Sequence, residues 1–393
     1  MNKNTTIIIL LFFMTLFQLS IDIYLPSTLV MAQELHTSDA NIQMTFFTFL
    51  LAGGLSQLLY GPLMDRFGRK PFLIMGSLVF LITALIAACS TSIVTLIIAR
   101  TFQGLGMGVF SVGSRATMRD ILTHDEFKKT AIYQGLTWSF VPVFAPVIGS
   151  YVQHYLGWRY NFGILACAGL LCLIFSLLLK ESLKQPQRSL HPAQIIKTYR
   201  NILINSNFWP FMLGAATDSI LLACFYLFAP ILLQGNLGIP VISYGWIMFW
   251  IAMSALIAMV INRLIVNRIP DRLFMLASIC LSVCSGLVIL LGCLIGKAPV
   301  TFFMVAMILM QVGMSWLFPL CISHAMRPMQ SQAGSAAAMI GMNNLTSGSI
   351  SALLIAYFVI NSEWRFGVLY IIVSVILLVV FLKKVYSTHS QAL

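Results

Sequence analysis

Gly61-Pro62-Leu63-Met64-Asp65-Arg66-Phe67-Gly68-Arg69-Lys70-Pro71 is the stretch that decides the fold. It packs one acid and three bases into eleven residues, between two apolar runs that are each long enough to cross a bilayer. A charge cluster between two spanning helices has to lie in water, and its excess of Arg and Lys predicts the cytoplasmic side. Gly61 and Gly68 are expected to allow a tight backbone and a close approach of helices.

The composition indicates a membrane protein with many spans. Of the 393 residues, 59% are hydrophobic and only 9% are charged, whereas a soluble domain carries roughly 25% charged residues. The net charge of +12 does not predict a nucleic-acid partner, because the bases lie in short loops between apolar runs. The eight cysteines lie in or beside apolar segments without metal-ligand spacing, so we expect no metal site.

Twelve apolar segments are long enough for spanning helices, which predicts an all-α polytopic membrane protein. They are 6–31, 40–63, 72–90, 93–117, 129–152, 160–180, 207–232, 243–265, 273–295, 299–322, 334–359 and 364–383. An even number of spans places both termini on one side. Nineteen bases fall on that side and three on the other, which predicts that both termini are cytoplasmic. The expected location is a bacterial inner membrane.

The polar stretch 181–206 divides the twelve spans into six and six. It predicts a six-helix bundle at 1–180, a cytoplasmic linker at 181–206 and a second six-helix bundle at 207–393. Residues 193–204 are expected to form a short helix on the membrane surface. The two halves echo each other at an offset near 200 residues, as in transporters that hold their site between two parallel repeats.

The basic loop resembles the G-x-x-x-D-R-x-G-R-[RK] motif between helices 2 and 3 of the major facilitator superfamily. The resemblance implies the fold of that superfamily, with twelve helices in two pseudo-repeat bundles, and a cytoplasmic gate that charge pairs lock. The alternative is an anchor on the positive side that does not move. Arg119, in the loop between helices 4 and 5, is a second candidate gate contact or part of a solvated loop. The expected gate residues are Gly61, Asp65, Arg66, Gly68, Arg69, Lys70 and Arg119.

Two acids lie inside predicted spans, Asp22 in helix 1 and Asp218 in helix 7. An ionisable group in a span costs roughly 3 kcal/mol, so both are candidates for proton coupling. Arg100 in helix 4 lies at nearly the depth of Asp22, so the two can pair if their helices face each other. Without coupling, Asp22 would form a structural ion pair or reach a water-filled vestibule. Asp218 is a second proton site, a cation contact or a structural acid.

Two further motifs strengthen the resemblance. Residues 96–106 are similar to the helix 4 motif L-x-x-x-R-x-x-Q-G-x-G of proton-coupled members, in which the Arg supports proton transfer. Helix 5 resembles the antiporter motif, which marks export, at Pro142, Ala145, Pro146 and Gly149. Together with residues 22–26 and 333–337, it looks like the bicyclomycin/chloramphenicol-resistance branch of drug–proton antiporters.

Polar and aromatic residues in the spans predict a cavity for small amphiphilic compounds, with Tyr24, Gln103, Trp138, Tyr226, Asn343 and Asn344 as its expected lining. The predicted function is proton-coupled efflux by alternating access. The alternatives are export of an endogenous compound, such as a siderophore or metabolite, and uptake by symport. No nucleotide-binding loop or catalytic spacing is present, so neither an ATP-driven pump nor an enzyme is expected. The expected partners are protons, the cargo and the bilayer; the expected state is a monomer without cofactor, driven by the proton motive force.

Overall fold

The computed structural model describes residues 2–183, 192–205, 208–265, 268–295, 300–359 and 362–389. The helices in this part of the chain are α1 (Lys3–Asp22), α2 (Thr28–Glu34), α3 (Asp39–Phe67), α4 (Lys70–Ala88), α5 (Ile93–Ile121), α6 (His124–Tyr155), α7 (Arg159–Leu178), α8 (Pro192–Ile204), α9 (Trp209–Pro230), α10 (Val241–Ile265), α11 (Asp271–Leu294), α12 (Val300–Met326), α13 (Ala333–Leu354) and α14 (Glu363–His389).

The first predicted segment corresponds to α1 and α2 together, and each of the other eleven corresponds to one of the remaining helices, with α8 outside the twelve. Within the described residues, eleven stretches are long and apolar enough to cross a membrane. The remaining predicted segment, 334–359, corresponds to α13, whose Asn343, Asn344 and serines lower its hydropathy. We refer to the end of the molecule that carries residues 61–71 as the basic end, and to the other as the opposite end.

The first and seventh predicted spans are both interrupted near the opposite end. After α1, Pro26 lies in a 3-10 turn, Leu25–Ser27, before α2 continues the chain. After α9, Pro230 is followed by a π-helical turn, Ile231–Asn236. Proline has no backbone N–H and clashes with the preceding turn, which explains both interruptions. The amide of Gln234 donates a hydrogen bond of 3.1 Å to the Pro26 carbonyl, so the two breaks meet.

Helices within each half pack through glycines. On α5, a Cβ at Gly104 would overlap the backbone carbonyl of Phe49 on α3. On α6, a Cβ at Gly149 would overlap the backbone carbonyl of Ile23, just beyond α1. Small residues at such positions let helix backbones approach closely, which is how spanning helices gain packing energy in lipid. Gly61 does not serve this purpose, because nothing lies within 4 Å of its Cβ position.

Two seams join the halves. In the first, α3 packs against α13, where a Cβ at Gly54 would lie 2.9 Å from Thr346. In the second, α6 packs against α10, where a Cβ at Gly245 would lie 3.1 Å from the Pro146 carbonyl. Each seam pairs one helix of the first half with one of the second. Both are backbone-close contacts, so sliding or tilting one half against the other has to act on them.

The Gly104 contact yields a stability prediction. Gly104→Ala places a methyl group against a backbone carbonyl that cannot move without shifting α3, and overpacking of this kind costs about 1–3 kcal/mol. We expect a lower midpoint of thermal unfolding for the detergent-solubilised protein. Gly163→Ala on α7 is the matched control, because nothing lies within 4 Å of its Cβ position. Equal midpoints for the two variants would contradict the packing argument.

Candidate functional site

The functional candidates fall into two regions, a buried core near the middle of the spans and a charged cluster at the basic end. In the core, Asp22 is the last residue of α1 and is fully buried. Its Oδ2 accepts a hydrogen bond of 2.9 Å from the Gln18 amide one turn earlier. Its Oδ1 is buried and has no hydrogen-bond partner. Asp22 is therefore a buried carboxyl with one oxygen left unsatisfied.

Arg100, on α5, is held by aromatic rings. Its guanidinium carbon lies 4.0 Å from the ring centroid of Phe49, 4.6 Å from that of Tyr24 and 5.9 Å from that of Phe162. Its Nη1 donates a hydrogen bond of 2.6 Å to the side chain of Gln103, one turn along the same helix. Rings attract a cation through their electron-rich faces, most strongly away from water. We call this group the aromatic cage.

Asp22 and Arg100 do not form the ion pair that their similar depths left possible, since no ion pair among the described residues joins them within 4.0 Å. Two nitrogens of the guanidinium, Nε and Nη2, are buried without hydrogen-bond partners. The aromatic cage occupies the faces of the guanidinium in place of the carboxylate. The depths of the two residues agree, but that agreement did not predict which neighbours each would have.

Two buried tyrosines of the second half lie within electrostatic reach of Asp22. Tyr226, on α9, lies within electrostatic reach of Asp22, Asp218 and Tyr244, and Tyr244, on α10, lies within reach of Asp22. Both tyrosines are buried, and the Tyr244 hydroxyl has no hydrogen-bond partner. The Asp22 carboxyl therefore interacts with Gln18 of the first half and lies within electrostatic reach of two tyrosines of the second half. Tyr244 was missed in the sequence, because a lone tyrosine in a span is more often packing than site.

The second intramembrane acid occupies a different position in its helix. Asp218 is buried at mid-α9, and its carboxylate makes no hydrogen bond to the described residues. When the breaks at Pro26 and Pro230 are aligned, the residue that corresponds to Asp22 is Tyr226, and Asp218 lies two helical turns before it. The two acids are therefore not equivalent by repeat, although their helices are.

The other expected cavity residues are not gathered around one space. Tyr24 and Gln103 belong to the aromatic cage. On α13, Asn343 donates a hydrogen bond of 3.1 Å to the Met212 carbonyl, and Asn344 accepts one from Ser219, so both amides fasten α13 to α9. The side chain of Trp138 lies outside the described residues. A small cavity with room for about one water lies at the opposite end, lined by Tyr24, Gln43, Phe46, Leu227 and Pro230 among others.

The prolines of α6 lie at the junction of the two halves. Pro142 and Pro146 are inside the helix, and Ala145 between them is buried. Gly149 packs on the first half at Ile23, and the Pro146 carbonyl packs on Gly245 of the second. The four residues expected from the antiporter motif lie on one face of α6 by their helical spacing, and two of them, Pro146 and Gly149, contact the second and the first half.

At the basic end, Arg69 is the centre of the charged cluster. It is buried, with Nη2 2.7 Å from Asp65 and Nε 3.2 Å from Asp120. Asp65 lies at the end of α3 and Asp120 at the end of α5, so Arg69 ties two helix ends to the start of α4. Arg66 stands apart, stacked over the Phe67 ring without an ion pair to a described residue.

Glu181 completes this cluster and was not foreseen from the sequence. Its carboxylate accepts hydrogen bonds from the backbone N–H groups of Arg69 (2.9 Å) and Lys70 (3.0 Å), which caps the start of α4. Gly68, with φ of 100°, leaves room for it, because a Cβ there would lie 2.6 Å from Oε2. Burial raises the pKa of Glu181, but backbone N–H donors outweigh burial and hold that pKa below its ordinary value. The feature of the sequence that could have pointed to Glu181 is its position directly after the sixth predicted span.

Lys70 and Arg119 have other roles than direct pairing with an acid. The Lys70 ammonium donates a hydrogen bond of 2.8 Å to the Leu177 carbonyl at the end of α7. Asp120, not Arg119, supplies the contact from α5 to Arg69. Arg119 points across the seam instead, where its Nη1 lies 3.4 Å from the Cβ position of Gly334 in the first turn of α13. The start of α6 is tied to the first helix by a 2.6 Å ion pair between Glu126 and Lys3.

The second half carries a related pair at the basic end. His324, near the end of α12, lies 2.8 Å from Asp271 at the start of α11, and the Phe211 ring stacks on the imidazole. The helices correspond to α5 and α4 of the first half, but the acid and the base have exchanged places. The contact therefore lies at the same place in both halves, but the acid is on α5 in the first half and on α11 in the second.

Comparisons with known proteins agree with this geometry. The family model described as Major Facilitator Superfamily matches residues 8–342. The multidrug resistance protein D of Escherichia coli K12 is 28% identical over 342 residues, which cover 86% of this chain and 84% of that protein. A chloramphenicol resistance protein of Pseudomonas aeruginosa is 27% identical over 379 residues, with 91% and 85% covered.

Solved structures support the same fold. A crystal structure of a D-xylose-proton symporter superposes with a TM-score of 0.75 at 14% identity, over 96% of this chain and 97% of that one. At that identity the likeness concerns the fold alone. The resemblance inferred from the basic loop is confirmed by the family match, which spans most of the chain. This protein belongs to the Major Facilitator Superfamily.

Proposed function

We propose that the protein is a proton-coupled exporter of small amphiphilic drugs in a bacterial inner membrane. The observation that carries the proposal is Asp22, a buried carboxyl with one unsatisfied oxygen that lies within electrostatic reach of two buried tyrosines from the other half of the molecule. A proton on that group changes the charge at the contact between the halves. The names of the relatives, which are multidrug and chloramphenicol resistance proteins, support drugs as the cargo.

The arrangement of Asp22 and Arg100 suggests how charge can drive movement. A neutral Asp22 is compatible with its present surroundings, where no base neutralises it. An ionised Asp22 needs a counter-charge, because an isolated charge in the membrane interior is costly. A candidate is Arg100 of the same half, which is buried and has two nitrogens without hydrogen-bond partners. Loss of the proton therefore favours a rearrangement of α1 against α5, and proton uptake favours the arrangement seen here.

The cycle follows from this switch. A proton that enters from the periplasm neutralises Asp22 and favours release of the cargo there. Loss of that proton toward the cytoplasm prepares the protein for new cargo. Asp218 is either a second proton site, a contact for cationic cargo or a structural acid. Its carboxylate makes no hydrogen bond to the described residues, which is compatible with each of the three roles.

The basic end is proposed to be the cytoplasmic gate, with both termini on that side. The excess of bases there supports the orientation. Arg69, bonded to Asp65 and Asp120, holds three helix ends together in the closed gate. The resemblance of α6 to the antiporter motif, at Pro142, Ala145, Pro146 and Gly149, supports export rather than uptake. The protein acts as a monomeric transporter, not as an enzyme, and it needs protons but no cofactor. Export of an endogenous siderophore or metabolite is the second candidate function.

Proton release tests the coupling directly. Adding chloramphenicol or another candidate drug to the purified protein in weakly buffered detergent solution should release protons from the wild type. Asp22→Asn should abolish the release, because an amide keeps the hydrogen bond from Gln18 but cannot give up the proton. Drug binding, followed by the change in tryptophan fluorescence, should persist and will show that the variant is folded.

Asp218→Asn is the matched control for that measurement, since it removes the other buried acid of the spans. Release that survives in Asp22→Asn and disappears in Asp218→Asn would move the coupling to Asp218. Release in neither the wild type nor a variant, with any drug, would reject drug antiport and favour the endogenous-compound exporter.

The gate is tested by Arg69→Gln. Removing one partner of a buried ion pair costs about 3–5 kcal/mol, and the partial exposure of Asp65 reduces this, so we expect backbone amide exchange at 58–70 to accelerate at least tenfold. Hydrogen-exchange mass spectrometry measures this. Arg66→Gln removes the same charge one turn away without breaking an ion pair and should leave exchange unchanged. Identical exchange in both variants would reject a locking role for Arg69.

A further inference from the structure

The outer face of α8 presents apolar and basic side chains together. Ile196 is 66% exposed and Ile204 is 65% exposed, and Leu203 lies beside them on the same face at 39%. Lys197 and Arg200 are exposed on the same side of the helix. A face that mixes large apolar groups with bases is typical of helices that lie in the headgroup region of a membrane, where long basic side chains reach the lipid phosphates.

The inner face of α8 covers the seam between the halves. The Tyr199 hydroxyl donates a hydrogen bond of 3.2 Å to the Leu58 carbonyl on α3. Ile202 is fully buried in a cluster that includes Met339 and Ile340 of α13. The helix therefore contacts α3 of the first half and α13 of the second at once. Displacing α8 would uncover the seam between α3 and α13 near the basic end.

Tyr199 also links α8 to the charged cluster. Burial, and after it the negative charge of the nearby Asp65, raise the pKa of the Tyr199 hydroxyl above its ordinary value. Asp65 is one of the two acids that hold Arg69. Tyr199 therefore places α8 within electrostatic reach of the ion pairs that tie α3, α4 and α5 together.

The level of α8 relative to the bilayer follows from Trp209. This residue begins α9, is 48% exposed, and donates its indole N–H to the Leu203 carbonyl at the end of α8. Exposed tryptophans at the ends of spanning helices lie at the membrane–water interface. A helix that is hydrogen-bonded to such a tryptophan lies at the same depth, so its exposed isoleucines meet lipid rather than bulk water.

We propose that the outer face of α8 is a docking surface for the headgroups of anionic lipids, and that lipid bound there holds Tyr199 against α3 and stabilises the closed basic end. Charge complementarity selects the anionic headgroup, because Lys197 and Arg200 are the exposed bases between the apolar side chains. The consequence for transport rests on the proposed function, in which the basic end must open to admit cargo. The binding itself does not.

The test uses the full-length protein in nanodiscs of phosphatidylcholine, with or without phosphatidylglycerol, and hydrogen-exchange mass spectrometry without drug or proton gradient. We expect phosphatidylglycerol to slow exchange at 196–204 by about tenfold, as two bases near an anionic surface should. Lys197→Gln with Arg200→Gln should abolish the slowing. Arg268→Gln with Arg327→Gln is the matched control, because it removes two exposed bases elsewhere at the basic end, and it should keep the slowing.

Tyr199→Phe separates binding from its effect on the gate. It leaves the outer face intact but removes the hydroxyl that donates to Leu58. Phosphatidylglycerol should still slow exchange in α8 of this variant, but no longer at the end of α3, residues 58–67. The proposal is overturned if the wild type exchanges equally in both lipids, if the Lys197/Arg200 variant keeps the full effect, or if exchange depends on protein concentration instead, which would indicate a second copy of the chain on this face. None of these outcomes depends on drug-triggered proton release.

Discussion

The burial of one guanidinium shapes the first half of the molecule. Arg100 is inside a span and fully buried, and no acid among the described residues pairs with it within 4.0 Å. The protein has to supply the solvation that water would give, and it does so with the faces of Phe49, Tyr24 and Phe162 and with the oxygen of Gln103. These groups come from four segments of the chain. The charge therefore fixes how α3, α5, α7 and the turn after α1 face one another.

The lipid surroundings also explain why a few specific contacts hold the two halves together. In lipid there is no hydrophobic gain in bringing helices together, so close backbone contact and polar bonds must hold the halves. Both seams have such contacts, at Gly54 on α3 and Gly245 on α10. At the basic end, Arg69 and Glu181 satisfy helix ends that would otherwise expose unpaired groups. A few exchangeable bonds at the ends and rigid packing along the helices are what a rocking mechanism needs.

The sequence predicted the elements better than their contacts. The twelve segments were recognisable because length and hydropathy are local properties, and Arg69 was recognisable because Asp65 lies one turn before it. Glu181 was not, because it lies more than a hundred residues from Arg69 and the contact exists only in the folded bundle. Whether Asp22 and Arg100 pair could not be decided from the sequence for a related reason. Depth along a helix is fixed by residue number, whereas the direction in which a side chain points depends on packing.

The paired breaks at Pro26 and Pro230 have a mechanical consequence. A continuous helix resists bending because each turn is bonded to the next, but at these two positions the ladder already lacks a donor. The segments beyond them have fewer backbone bonds to break when they hinge, and the Gln234–Pro26 bond is a connection they would exchange for water. Net losses of this kind are about 1 kcal/mol. At the opposite end of the molecule, the two segments beyond the breaks can therefore move as short flaps. Asp22 and Tyr226 lie before the breaks, in the continuous parts of α1 and α9.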